Sequence, residues 1–221
     1  MSDTNRADAP QPTGLIDRLA AGYRDPAASM RSLLAARPSE GVLLSLLLLG
    51  AFMGVVGACL EIFGAAAAVG AQAAGPEAGE RFRAQIGTVF VARMLLFPIA
   101  LYLGAAVLSL LARAGGGSGG AYESRAAMIW AAVLVAPLGL LLSVLDAVGA
   151  ASGLAALETG GGIAWRAGAA VASLAAASFA LYLWASCVAA AHGFRSRLKV
   201  AAAGLGVLAA MAAIWIAAAS L

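Results

Sequence analysis

The sequence predicts an all-α polytopic integral membrane protein, a five-transmembrane-helix bundle with an N-terminal cytoplasmic amphipathic segment. Five stretches of 19 to 25 residues contain no charged residue: 42–60, 94–112, 126–145, 167–191 and 200–221. A helix rises about 1.5 Å per residue, so about 20 apolar residues cross a hydrocarbon core of about 30 Å. Charged residues make up 11% of the chain, whereas a soluble domain contains about 25%.

The distribution of basic residues predicts the orientation. Ten of the 14 Lys and Arg residues lie in the N-terminal arm and in the loops after spans two and four. These three segments share one side of a five-span bundle, and an excess of Lys and Arg marks the cytoplasmic side. We therefore expect a bacterial-type inner membrane protein with its N-terminus in the cytoplasm and its C-terminus outside.

The polar arm divides into a tail and a pair of helices. Residues 1–12 have no apolar period and are predicted to be a disordered tail. Residues 13–40 are predicted to form cytoplasmic interfacial helices, the second with Asp25 as N-cap and Pro26 in its first turn. Its apolar side (Met30, Leu33 and Leu34) favours a position along the lipid headgroup layer. Docking on a partner, or on loops of this chain, is the alternative.

Residues 41–221 are predicted to form the membrane domain, with spans at about 42–60, 88–112, 126–147, 167–191 and 200–221. Pro98 and Pro137 lie inside spans, where each removes a helix hydrogen bond, so helix kinks are expected there. The GGGSGG segment at 115–120 predicts a flexible turn. The pairs Gly50/Gly54 and Gly54/Ala58 fit close helix packing.

Four charged residues near span ends form a candidate intramembrane charge network: Glu61, Arg93, Asp146 and Arg166. A charge inside the bilayer is costly, so such residues usually pair or serve a function. The predicted topology places all four near the outer face, where they could form a charge-balanced collar. A proton or substrate path is the alternative interpretation.

Residues that carry chemistry are scarce. The chain has one histidine and two cysteines, so no metal site is predicted, and no serine near His192 has a G-x-S-x-G context. We expect no enzyme activity, no catalytic residue and no cofactor. A membrane enzyme would require His192 to meet a nucleophile at hydrogen-bond distance.

The predicted cytoplasmic face presents the candidate partner-facing or lipid-facing residues. These are Arg24, Arg31, Arg37, His192, Arg195, Arg197 and Lys199. Membrane lipids are the expected partners, together with a membrane-protein partner or a second copy of the chain. No nucleic acid is expected.

The order of several segments resembles the Yip1 family, in particular its short bacterial members. The segments are Asp25-Pro26-Ala27-Ala28 before the first span, Gly119-Gly120-Ala121-Tyr122-Glu123-Ser124-Arg125 before the third, and Leu181-Tyr182-Leu183-Trp184 and Ala190-Ala191-His192-Gly193-Phe194-Arg195-Ser196 at the end of the fourth. The resemblance covers about residues 25–218. It implies a five-helix membrane protein without a catalytic site.

Two functional hypotheses follow. The first is a non-enzymatic membrane protein that organises or modulates partners or lipids through its cytoplasmic face. The second is a small transporter or permease-like subunit, which needs a polar path through the bundle. A midplane cavity near Pro137 would favour the second hypothesis if it were lined by several interior serines: Ser45, Ser109, Ser143, Ser173, Ser178 and Ser186. A dry, tightly packed bundle would favour the first.

Overall fold

The computed structural model describes residues 14–69, 76–154, 160–206 and 209, and its regular elements in these ranges are all helices. They are α1 (Leu15–Arg24), α2 (Pro26–Ala36), α3 (Glu40–Val69), α4 (Pro76–Val91), a π-helical turn (Ala92–Leu96), α5 (Phe97–Ala114), α6 (Ala121–Ala151), α7 (Gly160–His192) and α8 (197–206).

Four of the described helices are long and apolar enough to cross a membrane: Glu40–Ala67, Gly79–Ala114, Ala121–Ala151 and Gly161–His192. The all-α, multi-span class is therefore confirmed. The second helix begins well before residue 88, because α4 and α5 continue through the π-helical turn. Most of the predicted fifth span, 200–221, and all of the tail at 1–12 lie outside the described residues.

The most extensive packing in the bundle joins α3 and α6, along what we call the glycine seam, Gly50, Gly57 and Gly64. These residues are seven apart, about two helical turns, so they share one face of α3. A Cβ on Gly64 would lie 2.6 Å from the Ala147 Cα, and one on Gly57 would lie 2.8 Å from the Ser143 Oγ. Close approach of the two helices therefore depends on the absence of side chains here.

The glycine seam differs from the small-residue pairs predicted from sequence. Gly50 contacts α6, but Gly54 faces the side chain of Arg93 instead. A spacing of four residues rotates successive positions by about 40° around a helix, whereas a spacing of seven nearly restores the same face. The structure thus uses the glycines within one chain to join two parallel helices.

The arm helices α1 and α2 pack against α6 and α7. Asp25 caps α2 as predicted, because its side chain accepts a hydrogen bond of 3.0 Å from the Ala28 N–H. The Tyr23 hydroxyl donates to the Leu134 carbonyl at 2.6 Å, and burial raises the pKa of Tyr23 above its ordinary value. The hydroxyl therefore remains a donor at neutral pH.

The apolar side of α2 faces protein. Met30 is completely buried and Leu33 is buried beside it in the main hydrophobic core. On the same helix, Ser29 accepts a hydrogen bond of 3.2 Å from the Trp130 indole N–H. This corrects the expectation that Met30 and Leu33 would meet the headgroup layer. The physical reason is that α6 and α7 offer an apolar surface from the same chain, which the periodicity of α2 alone cannot reveal.

One end of the bundle collects most of the basic segments. The Tyr122 hydroxyl donates to the Pro38 carbonyl at 2.8 Å, and Arg125 forms an ion pair with Glu40. The loops 37–39, 115–120 and 193–196 meet at what we call the basic end. Its location in the cytoplasm remains a prediction.

The two span prolines have different surroundings. Pro98 directly follows the π-helical turn, whereas Pro137 lies inside the unbroken helix α6. A proline cannot donate to the preceding turn, so a wider turn before Pro98 is physically reasonable. Kinks at the two positions remain predictions.

Candidate functional site: the basic end and the bundle cavity

The glycine-rich loop at 115–120 is attached to the end of α7. The Ser118 N–H donates to the His192 carbonyl at 3.0 Å, and the Ser118 hydroxyl donates to the same oxygen at 3.3 Å. A Cβ on Gly119 would lie 2.6 Å from the Ala191 carbonyl oxygen and 2.6 Å from the His192 Nδ1. The loop expected to be a flexible turn is therefore packed against a helix end whose carbonyls need partners.

His192 is buried beneath this loop, with 1% of its surface exposed. Its Nε2 lies 3.1 Å from the Ser124 Oγ. Its Nδ1 faces the backbone of Gly119 without meeting hydrogen-bond geometry. The structure thus corrects the expectation that His192 faces a partner or lipid, because the loop at 115–120 folds over the imidazole.

The Ser124–His192 contact meets the distance condition set for an enzyme, but its surroundings favour a structural role. Ser124 is completely buried, and its hydroxyl already donates to the Gly120 carbonyl at 3.0 Å. While that proton lies on the Gly120 carbonyl, the Ser124 oxygen is an acceptor for Nε2 in the histidine tautomer that is protonated there. A nucleophile needs room for substrate beside it, and neither side chain lines a described cavity.

We expect Gly119→Ala to destabilise the protein by about 1–3 kcal/mol, because the new methyl group would displace backbone at the end of α7. Gly115→Ala is the matched control in the same loop, since its Cβ would lie no closer than 3.4 Å to any neighbour. Denaturant unfolding of both variants in detergent micelles measures the difference. Equal stabilities would show that the loop does not need Gly119.

A cavity of about 1460 Å³ lies between α5 and the helices α3, α6, α7 and α8. We call it the bundle cavity. Its walls are made mostly of small and apolar residues, including Gly104, Met128, Gly139 and Trp184. The Trp184 indole N–H lies 3.2 Å from the Met128 Sδ, which orders this part of the wall.

Four charged residues line the bundle cavity, three basic and one acidic. Arg195 and Lys199 lie at its basic end, whereas Arg93 and Glu61 lie farther along the bundle. Glu61 accepts a hydrogen bond of 2.5 Å from the Ser143 hydroxyl. Among the six interior serines expected along a transport path, Ser143 belongs to the described lining and the other five do not.

The predicted charge network is only partly assembled. Arg93 and Glu61 line one cavity, but no ion pair joins them in the described part of the chain. Arg93 lies 14 residues into Gly79–Ala114 and packs at Gly54, near the middle of α3. This corrects its expected place in the first turns of the span, because the helix begins earlier. Asp146 and Arg166 are exposed and do not belong to the described lining of this cavity.

The remaining basic candidates are all exposed: Arg24, Arg31, Arg37, Arg195, Arg197 and Lys199. Arg24 lines a smaller cavity of about 360 Å³ between α1 and α2, together with Arg18, Ser29 and Ser32. Arg197 donates to the Tyr182 hydroxyl at 3.3 Å. The structure therefore separates these residues into distinct sites, although the sequence placed them on one face.

Comparison with family models, curated proteins and solved structures finds no match to this chain. The likeness to the Yip1 family therefore rests on the segments quoted from the sequence.

Two features of the site were missed from sequence. The Ser124–His192 contact joins residues 68 positions apart, and no local pattern marks such a pair. The sequence contained only a weak indication of the bundle cavity, namely the glycines in its lining: Gly50, Gly54, Gly104, Gly139 and Gly204. Small residues on several helices indicate either close packing or space, and only the three-dimensional arrangement distinguishes them.

Proposed function

We propose that this protein is a non-enzymatic integral membrane protein that holds a lipid molecule between its helices and thereby organises or modulates the surrounding membrane. The observation that carries this proposal is the bundle cavity. Its volume of about 1460 Å³ exceeds the roughly 300–1,000 Å³ of small-molecule pockets. A site of this size suits a ligand larger than a typical metabolite.

The composition of the walls supports an apolar ligand. Between the charged residues at its two ends, the cavity is lined mostly by Leu, Val, Ala, Gly, Met, Phe and Trp residues, such as Leu103, Val107 and Val188. The cavity is open on the α5 side, because its lining residues Leu103 and Val107 are more than half exposed, as is Leu110 on the same helix. Such a surface is continuous with membrane lipid, so an acyl chain could enter laterally without crossing water.

The proposal keeps the predicted setting of the protein. The protein lies in a bacterial-type inner membrane with its basic end in the cytoplasm, as the excess of Lys and Arg predicts. The resemblance to the Yip1 family agrees with a non-enzymatic role. A membrane-protein partner or a second copy of the chain could bind in addition to lipid.

A transporter is the second candidate, and the position of Arg93 favours it. This charged residue lines the bundle cavity near the middle of α3, and a charge at such a depth is costly, so it usually pairs or serves a function. The apolar character of the remaining walls favours an amphiphile over a hydrophilic solute as cargo. Release of labelled lipid between leaflets of reconstituted vesicles would distinguish transport from static binding.

The lipid site can be tested by filling the cavity. Gly139 lines it, and no atom lies within 4 Å of a Cβ placed there. We expect Gly139→Phe to reduce acyl-chain photo-cross-linking to the cavity walls several-fold. The measurement uses reconstituted bilayers that contain a lipid with a photoreactive acyl chain, followed by mapping of labelled peptides from α6 and α7.

Gly168→Phe is the matched control. Gly168 also lies in a spanning helix, α7, and it also has no atom within 4 Å of its Cβ position, but it does not line the cavity. Its labelling pattern on the cavity walls should equal that of the wild type. If Gly139→Phe and Gly168→Phe label alike, the cavity does not hold lipid.

A further inference from the structure

The charges around the bundle cavity are unbalanced. Glu61, Arg93, Arg195 and Lys199 are the charged residues of its described lining, and together they give it an excess of two positive charges. Glu61 is engaged by Ser143. A cavity with apolar walls and a positive excess complements a ligand that has an apolar body and a negative group.

The positive excess is concentrated at the basic end. The loop before α8 and the first turn of α8 supply three residues of the cavity lining: Arg195, Ser196 and Lys199. The Ser196 hydroxyl accepts from the Lys199 N–H at 3.3 Å, which orders the start of α8. The two basic residues therefore belong to a short, ordered segment at one end of an apolar cavity.

Nearby acids do not neutralise these two residues. Glu40 is paired with Arg125, and Glu123 accepts the Gly120 N–H at 2.9 Å. In the part of the chain that the structure describes, neither the Arg195 nor the Lys199 side chain makes an ion pair or hydrogen bond. Arg197, between them in sequence, is directed to Tyr182 and does not line the cavity.

We infer that Arg195 and Lys199 form the headgroup site of the bundle cavity and select the net negative headgroup of an anionic phospholipid, whose acyl chains lie along the apolar walls. This inference rests on the proposed lipid-binding function and names its ligand class. Arg binds phosphate through paired N–H donors and Lys acts as a point charge. Both residues lie where the apolar wall ends, so one molecule can satisfy the charges and fill the cavity.

The alternative position for the headgroup is less suited to an anion. Arg93 and Glu61 contribute opposite charges to the far part of the cavity, so their net charge is zero. A phosphate placed there would meet the Glu61 carboxylate as well as the Arg93 guanidinium. The basic end offers two positive charges and no acid in the described lining.

The test compares two double variants in bilayers of phosphatidylcholine and phosphatidylglycerol that carry photoreactive acyl chains. Arg195→Ala/Lys199→Ala removes the proposed headgroup site. Arg113→Ala/Arg197→Ala removes two exposed positive charges from the same end of the bundle, neither of which lines the cavity. Labelling of cavity-wall peptides gives the preference for phosphatidylglycerol over phosphatidylcholine in each protein.

We expect Arg195→Ala/Lys199→Ala to lose up to about 30-fold of this preference, since a direct ion pair between exposed groups contributes up to about 1 kcal/mol and two such pairs are removed. Its labelling by phosphatidylcholine should persist, because the apolar walls are unchanged. The preference of Arg113→Ala/Arg197→Ala should stay close to that of the wild type. Excess inorganic phosphate should not displace the lipid label, because a free ion lacks the acyl chains.

Three results would overturn the inference. One is an unchanged preference in Arg195→Ala/Lys199→Ala, and another is an equal loss in Arg113→Ala/Arg197→Ala, which would indicate general surface attraction. Displacement by inorganic phosphate would assign the site to a soluble anion. None of these three results would contradict lipid binding in the cavity. The proposed function itself would be rejected if neither lipid labelled the cavity walls of the wild type.

Discussion

The substitution Gly64→Ala is expected to destabilise the bundle, although alanine favours the helix by about 1 kcal/mol over glycine. The new Cβ would lie 2.6 Å from the Ala147 Cα and 2.7 Å from its carbonyl oxygen. Both are backbone atoms, so no side-chain rotation relieves the clash and α3 must move away from α6. Overpacking costs about 1–3 kcal/mol, which exceeds the gain in helix propensity, and Gly64→Leu should be worse.

Gly50→Ala is the matched control within the same glycine seam. Its nearest neighbours would lie at 3.8–3.9 Å, an ordinary contact distance. Helix propensity therefore decides the outcome, and stability should be unchanged or raised by up to about 1 kcal/mol. Reversible unfolding in mixed detergent micelles measures both variants. The glycine seam is supported if Gly64→Ala lowers the free energy of unfolding while Gly50→Ala leaves it unchanged or raises it. A stabilised Gly64→Ala would show that the two helices are not in contact there.

Met30→Ala is expected to cost about 2–5 kcal/mol, the range for truncating a fully buried aliphatic side chain. Met30 is completely buried in the core that also contains Trp130 and Leu183. Removing most of its side chain leaves a void between α2 and the helices α6 and α7. Unfolding in detergent micelles gives the stability, and protease digestion in vesicles reports whether the arm has detached.

Ile16→Ala provides the comparison for the arm. Ile16 is 81% exposed on α1, so its truncation should change stability by no more than about 0.5 kcal/mol. If Met30→Ala has an equally small effect, the arm does not dock on the bundle. In that event the earlier expectation, in which α2 lies along the headgroup layer, would regain support.

Much of the fold could be predicted because the bilayer imposes a length and a polarity on each spanning segment. The start of α2 at Pro26 follows from Asp25, which is a local signal, whereas α6 begins at Ala121, five residues before the predicted start of the third span at 126. The second span was misjudged at its start, since the polar residues around Arg83 and Arg93 interrupt the apolar run without ending the helix. Helix continuity depends on backbone hydrogen bonds, and these tolerate charged side chains.

The candidate site was predictable only in part. Arg195 and Lys199 were identified as lipid-facing candidates from charge alone, and both line the bundle cavity. His192 belonged to the same candidate set, yet it is buried by a glycine-rich loop from another part of the chain. The burial of a side chain depends on which distant segments of the chain meet around it. The sequence near an isolated histidine does not indicate which segments these are.

By itself the sequence determined that this is a helical, multi-span membrane protein with an asymmetric distribution of basic residues, because hydropathy, length and charge act on each segment separately. The tertiary structure alone decided which glycines join α3 to α6, that the arm packs on α6 and α7, and that a cavity lies between parts of α5 and its neighbours. These features arise from the shapes of surfaces that meet across long sequence distances. Apolar and small residues favour close contact and open space equally until the helices are placed.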